Sequence, residues 1–161
     1  MIEGAAWKFG DNVDTDVIIP GKYLILPAEE AAVHVMAGIR PGFAQAVSPG
    51  DVIVAGRNFG TGSSRESAPQ AIKYAGISAI VAKSFARIFF RNCINVGLAP
   101  VECARADEID EGMTVRVDID NGRVEVVDTG ETFDAVSLPE EIAAILKAGG
   151  LVPMLRERFQ S

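Results

Sequence analysis

Cysteine and histidine are scarce in this chain, with two cysteines (Cys93 and Cys103) and one histidine (His34) among 161 residues. Two cysteines make no disulfide framework, and their spacing is not that of a metal knuckle. They are expected to be free thiols packed as small apolar groups in a reducing, cytoplasmic setting. The lone His34 falls in a helical stretch without an obvious partner and receives no role. No apolar run approaches the roughly 20 residues of a membrane-crossing helix. Residues 1–8 lack the basic and apolar regions of a signal peptide. Positive charge is also short: 15 Lys and Arg stand against 22 Asp and Glu, for a net charge of -7. That balance argues against nucleic acid as the main partner. With no internal repeat and no low-complexity linker, residues 1–161 are expected to form one domain.

The few positive charges are unevenly placed. Residues 57–91 carry six basic side chains (Arg57, Arg65, Lys73, Lys83, Arg87, Arg91) against Glu66 alone, whereas residues 102–141 carry thirteen acids against three arginines. A basic stretch beside a glycine-rich turn in an acidic protein points to a small anion. Ordinary surface charge accounts for the same count.

The hydrophobic pattern alternates strand and helix in the middle of the chain. Asp51–Ala55 and Ile77–Ala82 read as buried strands, with Leu98–Val101 as a third. Between them, residues 63–74 and Phe85–Asn95 carry helical spacing, and Gly76 is a natural stop. Part of the sheet should therefore be parallel. Ala5–Phe9 reads as an earlier strand, Val17–Pro20 as extended, and Ala28–Met36 as helical after Pro27. Later, Thr114–Ile119 and Arg123–Val127 alternate around Asn121-Gly122, which predicts a hairpin near 114–127. Helices are expected at Glu140–Lys147 and Pro153–Phe159. The expected fold is α/β with an antiparallel appendage.

Two segments could carry chemistry. In Gly60-Thr61-Gly62-Ser63-Ser64-Arg65-Glu66, glycines free the backbone, and two hydroxyls and a guanidinium follow at a helix start. Helix N-termini offer unpaired N–H groups to carboxylates and phosphates, and Arg65 would add a planar fork that fits a carboxylate. Taken alone, Ser63 and Glu66 also make a capping box, a purely local device. No Gly-Lys-Ser/Thr follows, so this is not a Walker loop, and the dinucleotide fingerprint is absent. The second segment, Asp11-Asn12-Val13-Asp14-Thr15-Asp16, groups three carboxylates. It lacks the glycine and final glutamate of a calcium loop, and an Asx-turn explains it.

Three signatures, in order, resemble the swivelling domain of the aconitase superfamily in its stand-alone small-subunit form. They are Asn12-Val13-Asp14-Thr15-Asp16-Val17-Ile18-Ile19-Pro20, Asn58-Phe59-Gly60-Thr61-Gly62-Ser63-Ser64-Arg65-Glu66, and Ala82-Lys83-Ser84-Phe85-Ala86-Arg87-Ile88-Phe89 running on to Arg91-Asn92 and Asn95-Val96-Gly97-Leu98. The similarity covers nearly the whole chain.

This resemblance implies a swivelling β/β/α three-layer domain with a mixed sheet, docked over a large subunit. It implies a hydro-lyase that moves a hydroxyl between neighbouring carbons of a malate-type dicarboxylate. A [4Fe-4S] cluster would sit on the large subunit, with no cofactor or metal on this chain, since such clusters want three or four cysteinyl thiolates. Ser63 would be the base, with Ser64 and Arg65 holding a substrate carboxylate and Asp16 in support. The family's further arginine has no clear match, and Lys22 is a stand-in. Thr61 and Ser67 replace the cysteine and histidine of many members, which should alter packing and not activity. In this family Tyr23-Leu24-Ile25-Leu26 would face the substrate's variable group. An uncharged loop suits the isopropyl group of isopropylmalate, on the leucine pathway, because a buried unpaired carboxylate is costly. Core packing also explains those four residues. The alternatives are a homoaconitate- or dimethylmalate-type small subunit and a non-catalytic anion-binding module.

Overall fold

The computed structural model describes residues 1–63 and 65–160. The chain opens with β1 (Ile2–Lys8) and then runs through short helical turns: α1 (Thr15–Ile18), a 3₁₀ turn at Gly21–Tyr23, α2 (Ala28–Ala31) continued by a 3₁₀ turn at Ala32–His34, and α3 (Phe43–Ala46). The alternating stretch follows as β2 (Val52–Ala55), α4 (Ser67–Ala75), β3 (Ala79–Ala82), α5 (Arg87–Val96) and β4 (Ala99–Glu102). After a 3₁₀ turn at Ala106–Glu108 come β5 (Thr114–Asp118), β6 (Arg123–Val126), β7 (Glu131–Asp134), α6 (Glu140–Lys147) and α7 (Leu151–Gln160). No helix among the described residues is long and apolar enough to cross a membrane.

Among the described residues, seven strands form one mixed sheet in the order β4-β3-β2-β1-β5-β6-β7. β1 is the pivot, pairing parallel with β2 (Ala6↔Val52) and antiparallel with β5 (Ile2↔Val117). Successive residues of a strand face opposite sides, and the burial of β2 and β3 divides on that rule. Ile53, Ala55, Ile80 and Ala82 pack with Ala68, Ala71 and Ile72 of α4 and Phe89 and Cys93 of α5. Val52, Val54, Ala79 and Val81 instead meet Val115, Val117, Val124, Val126 and Phe133 of β5–β7. The sheet therefore curls until its antiparallel half covers one face of its parallel half, with helices on the other. This is the expected β/β/α layering.

Asp51 fastens the β1–β2 pair. Its carboxylate, only 6% exposed, accepts hydrogen bonds from Ala5 N (3.1 Å), Trp7 Nε1 (2.9 Å) and Ser48 N (2.9 Å). A buried charge persists where several donors replace its lost water.

Three expectations need correction. Of Val17–Pro20 only Ile19 and Pro20 are extended: α1 occupies Thr15–Ile18, because the Asp14 carboxylate caps it through Asp16 N (2.7 Å) and Thr15 and Ile18 are buried. That local cap outweighs the extended preference of Val17 and Ile18. The helix expected from Ser63 begins at Ser67, with Glu66 at its N-cap in helical conformation and no side-chain cap, so Ser63 and Glu66 form no capping box. Finally, β7 carried no sequence expectation; Thr129-Gly130, with Gly130 at φ 76°, turns the chain into it.

Candidate active site

The site lies where the loop after β1 meets the loop after β2. Asp14 and Thr61 form an isolated parallel bridge. Gly60 N donates to Val13 O (2.7 Å), Thr15 N to Thr61 O (2.8 Å), and Thr15 Oγ1 to Ser63 O (3.1 Å). The three carboxylates of the Asp-rich segment are each engaged. Asp11 Oδ1 accepts from Arg57 N (2.7 Å), Asp14 caps α1, and Asp16 Oδ1 lies 2.5 Å from Arg65 Nη1. Their engagement with backbone and arginine is the physical reason the cluster is not a cation cage.

Two glycines permit this lacing. Gly60, at φ +87°, presses against α5, and a Cβ there would fall 2.1 Å from Phe89 Cγ. Gly62, at φ +94°, rides over Asp14, where a Cβ would fall 2.6 Å from the carboxylate. Any other residue would pay backbone strain and push apart the two segments. Phe59 extends the seam: its N–H donates to Ser84 O (3.1 Å), and its carbonyl accepts from Ala86 N (3.0 Å).

Against this seam opens a cavity of about 460 Å³, lined by Ser63 and Arg65 of the loop and by Ala86, Arg87, Phe89 and Arg91 among others at the start of α5. That size falls in the range of small-ligand sites. Ser63 is exposed at the rim, and no hydrogen bond to a described residue involves its Oγ. Arg65 is three-quarters covered, with its side chain 24% exposed. Its Nη1 is buried and close to Asp16, but no N–H of it aligns on an acceptor among the described residues. The ion pair with Asp16 fixes the guanidinium, whose remaining exposed part borders the cavity.

The structure thus brings Ser63, Arg65 and Asp16 together. Ser64 lies outside the described residues. Lys22 and Tyr23–Leu26 do not line this cavity. Lys22 Nζ instead sits 5.1 Å from the Tyr23 ring centroid, and Tyr23 stacks on His34 at 3.8 Å with the rings 5° apart. Tyr23 and Leu26 pack against the helix-side core, whereas Ile25 is 90% exposed and Leu24 38%. The same cavity includes two arginines to which the sequence reading gave no individual role, Arg87 and Arg91. Their signal was the excess of basic residues over 57–91.

The thiols stand apart. Cys93 is in the helix-side core and Cys103 in the sheet–sheet core, and burial pushes both upward in pKa, Cys93 strongly. Two inert thiols in different layers do not fit an iron–sulfur cluster, and the described residues group no other metal-binding set. A second cavity, of about 440 Å³ and largely apolar, lies against Phe90, Ile94, Leu138 and Ile142; it shares Arg87 and Arg91 but includes Glu102.

Residues 44–106 match the family described as the aconitase C-terminal domain. Over 161 residues the chain is 51% identical to the 3-isopropylmalate dehydratase small subunit of Nautilia profundicola, covering 99% of this chain and 97% of that protein. It is 50% identical to the isopropylmalate/citramalate isomerase small subunit of Methanocaldococcus jannaschii, covering 99% and 96%. A crystal structure of 3-isopropylmalate dehydratase from M. jannaschii superposes with a TM-score of 0.92 at 51% identity, over 99% of this chain and 95% of that one.

Proposed function

The chain belongs to the family of 3-isopropylmalate dehydratase small subunits, and from that premise we propose that it completes, with a large subunit, a site interconverting 2- and 3-isopropylmalate through isopropylmaleate. The observation that carries this reading is the cavity in which Ser63 and Arg65 meet at the seam of the two motif loops.

In the proposed reaction, Ser63 Oγ acts as an alkoxide and takes a proton from the carbon next to the hydroxyl-bearing one. The C–H electron pair becomes the double bond as the hydroxyl takes a proton from an acid that the large subunit would supply and leaves as water. The reverse steps, with water added at the other carbon, complete the isomerisation. A serine is a weak base at its free pKa. Cationic surroundings favour its ionised form, and Arg65 lines the same cavity. Arg65, oriented by Asp16, holds one substrate carboxylate together with Ser64. The [4Fe-4S] cluster belongs to the large subunit, since the residues of this chain do not fit one.

Leu24 and Ile25 are assigned to the substrate's alkyl branch, completed when the large subunit closes over the site. Their exposure supports this: apolar side chains left uncovered on one loop suit an apolar group brought from outside. The reading is tested by purifying the chain with its large subunit without oxygen and following isopropylmaleate by ultraviolet absorbance. Citramalate and homocitrate serve as comparators. Turnover with kcat/KM highest for isopropylmalate is expected. An intact complex that leaves isopropylmalate untouched while dehydrating a comparator would overturn the substrate assignment.

A further inference from the structure

Three features of α5 are electrostatically unfavourable as they stand. Arg87 is the first residue of a ten-residue helix whose N-cap, Ala86, makes no side-chain cap, so a cation faces the positive end of the helix dipole. Arg91 follows four residues later, on the same face, where like charges repel. Neither guanidinium forms an ion pair with any described residue, in contrast to Arg40, Arg65, Arg105 and Arg116. Both line the cavity that holds Ser63 and Arg65, and no carboxylate lines it with them.

An anion in the cavity reverses each of these penalties. We propose that Arg87 and Arg91 form the seat for the substrate's second carboxylate, with Arg65 holding the first. This deepens the functional reading above and rests on it for the identity of the dicarboxylate. Arg65 is already countered by Asp16, so that pair alone leaves a doubly charged acid without net neutralisation. The pair on α5 supplies the missing charge, and the uncapped first turn adds N–H groups beside it. The other cavity touching these arginines includes Glu102, which would repel a carboxylate.

The test uses the complex with the large subunit. R87Q and R91Q are compared with wild type and R87K for three readouts: KM and kcat on 2-isopropylmalate, affinity for isopropylsuccinate, and subunit assembly. Isopropylsuccinate keeps both carboxylates and has no hydroxyl to lose. Loss of a charge-assisted contact should raise KM and the isopropylsuccinate dissociation constant about tenfold in each glutamine variant. The fall in kcat/KM should come mainly through KM, assembly should be unchanged, and R87K should recover part of the loss. Unchanged isopropylsuccinate affinity, or a loss that tracks weakened assembly, would overturn the seat. A wild-type complex that binds isopropylsuccinate but does not turn over isopropylmalate sinks the functional reading alone, and the glutamine variants still decide the seat by affinity. Failure to bind either acid sinks both.

Discussion

Gly60 shows how one residue holds the site together. Its missing side chain lets the Ser63 loop lie on Phe89, and therefore on the start of α5. Gly60→Ala should separate these two walls of the cavity, because the added carbon would land 2.1 Å from Phe89 Cγ. Strain at positive φ adds to that clash, so a stability loss of about 1–3 kcal/mol is expected. Activity of the complex should fall further than stability does. Denaturant unfolding beside turnover checks this, and wild-type activity in Gly60→Ala would contradict it. The thiols give a second residue-scale test. Burial raises both, Cys93 strongly, so neither should react with a disulfide reagent at pH 8 in the folded chain. Both should react once guanidinium unfolds it; rapid modification of native protein would show that the two cores open easily.

At the scale of elements, α1 is the informative case. It is one turn long, and Asp14 both caps it and lies under Gly62. Asp14→Ala should cost about 1 kcal/mol as a lost N-cap. It should also lower activity disproportionately, since α1 carries Asp16, the partner of Arg65. Equal losses in stability and activity would mean that α1 merely packs. The same element marks where sequence reading stops. The strands and helices from β2 to β4, and the hairpin at Asn121-Gly122, follow from periodicity and turn chemistry, which are local. α1 contains Val17 and Ile18, read locally as extended; only a side-chain cap and contacts with residues nearly fifty positions away make it helical. The loop that carries Ser63 was visible as a motif, but that α4 would start only at Ser67 was not, because the loop before it is held in the seam with Asp14 and Thr15. Arg87 and Arg91 were visible as charge and invisible as a pair in the cavity, since that requires knowing which way α5 points.

At the scale of the whole molecule, the curl of the sheet brings distant ion pairs across its layers. Arg40 makes a two-pronged contact with Glu111, which also accepts from Lys8 N (3.1 Å), and Lys83 Nζ meets Asp107 Oδ2 at 3.2 Å. The Arg40 hydrogen bond holds the Glu111 carboxyl below its ordinary value, and the Lys83 hydrogen bond does the same for Asp107. Groups whose folded pKa is depressed stabilise fully above their unfolded value and lose that contribution as pH falls through the folded one. Stability should therefore fall below about pH 4.3, the ordinary glutamate value. Arg40→Met should shift the acid-unfolding midpoint to higher pH. An unmoved midpoint would show this exposed pair to be idle, as many surface pairs are.

We propose that this chain supplies the proton-abstracting base to a site its large subunit completes. The most direct test is the turnover of isopropylmalate by complexes containing wild-type chain or Ser63→Ala, matched for cluster content and subunit assembly. Loss of a positioned base should lower kcat by about 10²–10⁴-fold, with KM within a few-fold of wild type. A Ser63→Ala complex that retains kcat within a few-fold of wild type would contradict the claim and leave the cavity as a binding site only.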